Sequence, residues 1–450
     1  MNLLSKLVVA LTLAICILFL PGCKKDITET IDPLDIELED ALVAAGGSLS
    51  NFILPESDDF GSIPQDPLNP LTPEKVELGK FLFHEPGLAS NPRLPMGKNV
   101  YSCASCHHAG AGFQAGRRQG LAEGGLGFGI NGEGRDLDPA YPTAFIDVQP
   151  IRTPSAMHAA YQINQLWNGQ FGATGVNIGT ESFWTVETPK ETNHLGYQGT
   201  EIQAIAGLGV HELEMDSAFC VNTSYETLFN NAYPGLPVSE QITAENAGLA
   251  IAAYERTLLA NKAPFQKWLR GDQAAMTESQ KKGAVLFFST ANCVSCHNGP
   301  ALNDMNFYAL GMEDLNGSGV YGSEPATGAT NRGRGGFTND PADDYKFKTP
   351  QLYNLKDSPF YGHGGTFTSV KDVIEYKNAA LPDNTNVPPE NLAVDFIPLN
   401  LSVSEIQQIT DFIENGLHDP DLMRYVPESL PSGFCFPNND EASKADLGCN

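Results

Sequence analysis

Two short motifs, Cys103-Ala-Ser-Cys106-His107 and Cys293-Val-Ser-Cys296-His297, concentrate the reactive side chains of this sequence. In each, two thiols three positions apart can add to the vinyl groups of a heme while the adjoining imidazole takes one axial position on the iron. A lone C-x-x-C would equally suit a redox dithiol or half a zinc site. Two copies, each closed by His, predict two covalently bound c-type hemes, with His107 and His297 as the proximal iron ligands.

Each motif needs an element that delivers the chain to it, and similar runs stand before both. Thr72-Pro73-Glu74-Lys75 opens one that ends in the apolar turn Phe81-Leu82-Phe83, and Thr277-Glu278-Ser279-Gln280 opens another that ends in Val285-Leu286-Phe287-Phe288. A Thr N-cap starts each, with Pro at N1 in the first and a capping box in the second. Both runs predict helices. Thr243 to Leu259 places Ala247, Ile251, Tyr254 and Leu258 at helical spacing and predicts a core helix ending near Asn261. Ser402-x-x-Glu405 opens a further helix with Val403, Ile406, Ile409 and Ile413 on one face and Gly416 as its stop. Strand signals are weak, and the Gly-rich stretches at 120–134, 169–179 and 315–336 predict long loops.

Met1 to Cys23 has the pattern of a lipoprotein signal peptide: Lys6, an apolar run from Leu7 to Leu20, and Leu20-Pro21-Gly22-Cys23 as a lipobox-like site. The run is shorter than the ~20 residues of a spanning helix. Cys23 is therefore expected to carry lipid and tie the protein to a membrane, in the periplasm or cell envelope and most simply at the outer membrane. Residues 24–70, acidic and broken by Pro and Gly, are expected to form a tether with one short helix around Glu37 to Ala45. The remaining length exceeds one comfortable core. It divides into an N-terminal heme domain at 71–262, a C-terminal heme domain at 263–420 and a tail at 421–450.

Of nine cysteines, four belong to the heme motifs, and Cys16 and Cys23 to the signal. Among the remaining three, Cys435 and Cys449 are the expected disulfide, leaving Cys220 as buried packing. The net charge is −27, with 54 acidic against 27 basic residues, which argues against nucleic acid as a partner. The same charge would suit solubility or the steering of a basic electron donor.

From Leu71 to Leu417 the sequence resembles the bacterial di-heme cytochrome c peroxidase and MauG family. The resemblance rests on Val76-Glu77-Leu78-Gly79-Lys80, both C-x-x-C-H motifs, Leu166-Trp167-Asn168-Gly169, Phe265-x-Lys267-Trp268-Leu269, Cys296-His297-Asn298-Gly299-Pro300, and Phe347-Lys348-Thr349-Pro350 followed by Gly364-Gly365. It implies a mainly α fold of two cytochrome c-like domains with long irregular loops. It also implies that the first heme reacts with peroxide and the second transfers electrons.

By the same resemblance Glu214 is the expected acid–base group over the first heme, with Gln203 as its companion. The interval between them is one residue longer than the family's, and His211 or Glu212 could hold the role instead. No His occurs from Ala109 to Met157, so the first iron is expected to be open without reductive activation. The second is expected to be closed by Lys377 or Tyr376, since Val373 to Asn378 contains no Met. Trp167 is the implied electron relay between the hemes. A calcium ion is implied at the main-chain oxygens of Arg152, Asp357 and Pro359. The expected activity is reduction of hydrogen peroxide to water with electrons from a small cytochrome c or cupredoxin. The alternatives are a MauG-type enzyme that oxidises side chains of a partner protein, and an electron-transfer dicytochrome. A homodimer is compatible with this resemblance.

Overall fold

The computed structural model describes residues 32–449, so the signal peptide and Cys23 lie outside the described residues. The main helices are α1 (Pro33–Gly46), α2 (Pro73–His84), α3 (Gly199–Val210), α4 (Ala244–Arg256), α5 (Glu278–Phe288), α6 (Val370–Ala379) and α7 (Val403–Asp411). Strand among the described residues is confined to two antiparallel two-residue pairs, Gly125–Leu126 with Asp136–Leu137 and Phe307–Tyr308 with Phe347–Lys348. Long loops joined by short 3-10 turns fill the rest, and the fold is mainly α as expected.

The caps act where the sequence places them. Thr72, Thr243, Thr277 and Ser402 each accept a hydrogen bond from a backbone N–H in the first turn of the helix they precede, and the last two complete capping boxes. The π-helical turn Phe412–Gly416 prolongs α7 to the predicted stop. The core helix α4 ends at Arg256 rather than near Asn261, because the chain turns at Thr257, whose hydroxyl donates to the Tyr254 carbonyl at 2.7 Å.

Each heme half is built on a crossed helix pair that a glycine permits. A Cβ on Gly79 of α2 would stand 1.8 Å from the Ala250 carbonyl oxygen of α4. A Cβ on Gly283 of α5 would stand 2.0 Å from the Gln408 carbonyl oxygen of α7. Bare backbone is what lets these helices touch. Four residues past each glycine, Phe83 and Phe287 reach the two proximal histidines, with ring centroids 6.5 Å from His107 and 6.4 Å from His297. The duplication seen in sequence is thus a duplication of contacts. In the N-terminal half, α3 is clipped to α4 by a buried bidentate pair: Arg256 Nε donates to Glu201 Oε1 at 2.8 Å and Nη2 to Oε2 at 2.6 Å.

The expected tether at 24–70 is corrected over its described part. Helix α1 buries Leu38 and Leu42 against the C-terminal half, where Asp35 accepts from Trp268 Nε1 at 2.7 Å and pairs with Lys281 at 2.5 Å. Phe52 packs edge-on to Phe288 at 5.2 Å. The chain then crosses to the N-terminal half, where Gln198 N–H donates to Asp66 at 2.6 Å. Leu54 and Ile63 are buried as well, while Ile36, Val43 and Leu68 stay exposed.

The tail is likewise ordered. It runs back over the N-terminal half and is closed by the expected Cys435–Cys449 disulfide. Ser102 Oγ and Ser105 Oγ, on either side of Cys103, donate to the Pro437 carbonyl at 2.9 and 3.3 Å. Asp446 accepts from the backbone N–H groups of Phe128 and Gly129, both at 2.8 Å. Each end of the chain therefore packs on the half that the other end belongs to. Cys220 is buried and unpaired, as expected.

Candidate functional site

Two cavities of about 300 and 290 Å³ hold the two motifs. Cys103, Cys106 and His107 line the first; Cys293, Cys296 and His297 line the second. His107 Nδ1 donates to the Phe113 carbonyl at 3.2 Å and His297 Nδ1 to the Leu302 carbonyl at 3.0 Å. A carbonyl can only accept, so each bond fixes the tautomer and leaves Nε2 unprotonated for a metal. Burial holds both imidazoles neutral, with pKa values lowered to about 4. Burial also pushes Cys103 and Cys106 up to about 12. Paired thiols and an oriented imidazole at one apolar-walled cavity fit a c-type heme in both halves.

The first cavity has a polar side. Gln203, on α3, lines it, and its side-chain amide makes no hydrogen bond to another described residue. His211, just past the end of α3, lines it too, with Nδ1 2.7 Å from the buried Asp147 carboxylate. Burial opposes the charged imidazole, but Asp147 outweighs it and raises the His211 pKa above the ordinary 6.5. Glu255 of α4 also lines the cavity, and burial raises its pKa to about 8.

Glu214 is not there. Its backbone N–H donates to the Leu88 carbonyl at 2.7 Å, and its side chain is exposed. In the turn after the helix, Glu212 takes φ +53° and pairs with Arg93 at 3.3 Å. Glu214 is exposed, and His211 is the one of the three that lines the cavity. Of the three candidates, His211 therefore takes the place expected for Glu214. Sequence reasoning missed Asp147, which is 64 residues from its partner, and Glu255, whose one signal was a carboxylate inside an otherwise apolar helical run.

In the second cavity Lys377 is a wall residue and Tyr376 is not. The Tyr376 hydroxyl is engaged by the Leu310 carbonyl, to which it donates at 2.5 Å. Burial lowers the Lys377 pKa to about 8, against the nearby Cys296 and Cys293, which raise it. Two unforeseen residues join this wall. Met312 brings a thioether that the search of 373–378 could not find, and His363 stacks on Phe347 at 3.7 Å with Nε2 3.2 Å from Asp314.

Trp167 borders both cavities. Its Nε1 donates to the Arg152 carbonyl at 2.8 Å, and its ring meets His363 edge-on at 6.4 Å. It is the expected residue in the expected place, between the two motifs. The Arg152 carbonyl expected to bind calcium is thus engaged by the indole, and its guanidinium fills the same seam, so the implied calcium site does not fit. The Asp357 carboxylate binds His418 Nε2 at 3.1 Å and Asn354 Nδ2 at 2.8 Å.

Residues 73–274 match the sequence profile of the di-haem cytochrome c peroxidase family. The methylamine utilization protein MauG of Methylorubrum extorquens is 27% identical over 360 residues, covering 80% of this chain and 82% of that protein. A cytochrome-c peroxidase of Pseudomonas sp. is 28% identical over 376 residues, covering 78% and 82%. Among solved structures, a MauG-like protein associated with microbial copper homeostasis superposes with a TM-score of 0.56 at 22% identity, over 83% of this chain and 97% of that one. With both motifs seated in matching cavities and a tryptophan between them, residues 73–274 carry the di-haem cytochrome c peroxidase profile, and the chain is similar over about four fifths of its length to cytochrome c peroxidases and MauG proteins.

Proposed function

We propose that the protein reduces hydrogen peroxide to water at the His107 site, using electrons that enter from a small redox protein at the His297 site. Two hemes, thioether-linked to Cys103 and Cys106 and to Cys293 and Cys296, would supply the iron that binds peroxide and stores and passes electrons. Per turnover, one hydrogen peroxide, two protons and two electrons give two waters. The observation that carries this reading is the asymmetry of the cavities. Gln203, His211 and Asp147 border only the first, where protons must move, and Trp167 borders both.

His211 does the proton work. Neutral, with Nδ1–H held by Asp147, it has Nε2 free to take the first proton of peroxide and hand it to the departing oxygen. Gln203 can orient peroxide through its amide, and Glu255, protonated below about pH 8, keeps a second proton at the wall. Trp167 is the aromatic bridge for electrons arriving from the second site. Lys377 would help hold the second heme through its amine, whose pKa burial lowers to about 8.

A location in the periplasm, with lipid at Cys23, accords with the Cys435–Cys449 disulfide, which needs an oxidising compartment. The MauG-type alternative draws support from the Lys377 amine, since nitrogen holds ferric iron better than a thioether does. Rapid mixing of the oxidised holoprotein with peroxide, with and without reduced cytochrome c, separates the readings. Repeated fast oxidation of the cytochrome is expected. A spectral change that persists while cytochrome goes unused would move the assignment to protein side-chain oxidation, and no reaction at all would leave an electron-transfer dicytochrome.

A further inference from the structure

The seam between the halves already contains a cation. The Arg152 side chain, 1% exposed, reaches along it with Nη1 donating to the carbonyls of Arg117 at 2.9 Å and Arg118 at 3.3 Å. Nη2 donates to the Ala115 carbonyl at 3.3 Å, Gln114 Oε1 at 3.4 Å and Ser358 Oγ at 2.9 Å. Ser358 lies between Asp357 and Pro359, the other two ligands that a calcium ion was expected to have. A full positive charge thus sits where a dication's oxygens would have to gather, and no carboxylate among the described residues pairs with it. Nor do the described residues contain any group of three or more His, Cys, Asp or Glu able to hold a metal.

Five neutral oxygens around a buried cation, three of them main-chain carbonyls, is the donor set of a hard metal ion. Four come from the segment after the first C-x-x-C-H and one from the C-terminal half. We infer that the Arg152 guanidinium takes the place of an interdomain metal ion, so that the two heme halves are joined without calcium. The backbone of the same residue completes the joint: its N–H donates to the His363 carbonyl at 2.8 Å, and its carbonyl receives the Trp167 indole. Arg152 is therefore a positioning residue for the bridge between the cavities.

The test uses heme-loaded protein dialysed against a calcium chelator. Bound calcium by mass spectrometry is expected below about 0.1 per chain, and the thermal midpoint should be the same with chelator or millimolar calcium, because a ligand that does not bind cannot shift it. One tightly held calcium per chain, or a midpoint that falls with chelator and recovers with calcium, overturns the inference. Arg152→Ala is expected to lower the midpoint by at least about 5 °C. It should also slow electron passage from the second site to the first, while peroxide binding at the first persists. Guanidinium ion at low millimolar concentration should restore both, and calcium neither. A variant that melts and passes electrons like the native protein overturns the inference as well. If Arg152→Ala does not fold, the calcium measurement on the native protein decides alone.

Discussion

His211 and Asp147 set the pH range in which the first cavity can work. The imidazole must be neutral to accept a proton, and its pKa lies above 6.5 because Asp147 outweighs burial. The acid limb of kcat/KM should therefore fall above pH 6.5, and Asp147→Asn should move it to lower pH. Stopped-flow profiles of both proteins check the sign; an unmoved limb would exclude His211 as the titrating group. His211→Ala should cost about 10²- to 10⁴-fold in the peroxide reaction, the usual contribution of one acid–base group. At the second site, Lys377→Ala should change the ferric optical spectrum while Tyr376→Phe leaves it alone. If Met312→Leu changes it instead, the thioether is the ligand. That the two Cys pairs with their histidines, Gln203, Trp167 and Lys377 line the cavities was legible, because each sits at a fixed spacing within its own motif or run. Asp147, Glu255, Met312 and His363 were not, because only the folded chain brings them to a cavity. Glu214 failed for a local reason: its backbone N–H is held by the Leu88 carbonyl just past the turn at Glu212, and its side chain is exposed.

Among the elements, helices were readable from their ends, since a cap is chemistry between neighbours. Their crossings were not. Gly79 and Gly283 matched as sequence, but only the structure shows that each faces a carbonyl oxygen at a distance no Cβ could occupy. Gly79→Ala and Gly283→Ala should each destabilise by about 1–3 kcal/mol through forced separation of the paired helices. Chemical denaturation would measure this, with the loss accompanied by disturbance of the His107 site in the first variant and the His297 site in the second. The Arg256–Glu201 pair has a different logic. Glu201→Gln leaves a buried guanidinium without its charge partner and should cost about 3–5 kcal/mol. The tether expectation failed because composition counts residues without asking where they go. Leu38, Leu42, Phe52 and Leu54 are few, yet all are fully buried.

For the molecule as a whole, the two halves are less separable than two heme motifs led one to expect. One apolar core runs through both, taking in Leu78 and Phe83 from the first and Phe287 and Phe412 from the second. Opening the Cys435–Cys449 loop by Cys435→Ser should cost about 2–4 kcal/mol. Thermal unfolding under reducing and oxidising conditions would show the same difference in the native protein and none in the variant. The reciprocal packing of the chain ends also fixes an order of assembly. The serines beside Cys103 are covered by the Pro437 carbonyl, which lies 335 and 332 residues further along the chain. The C-terminal half, by contrast, packs on a helix that precedes it in the chain. The first motif therefore stays uncovered until residues far along the chain have arrived, longer than its own place in the sequence would imply.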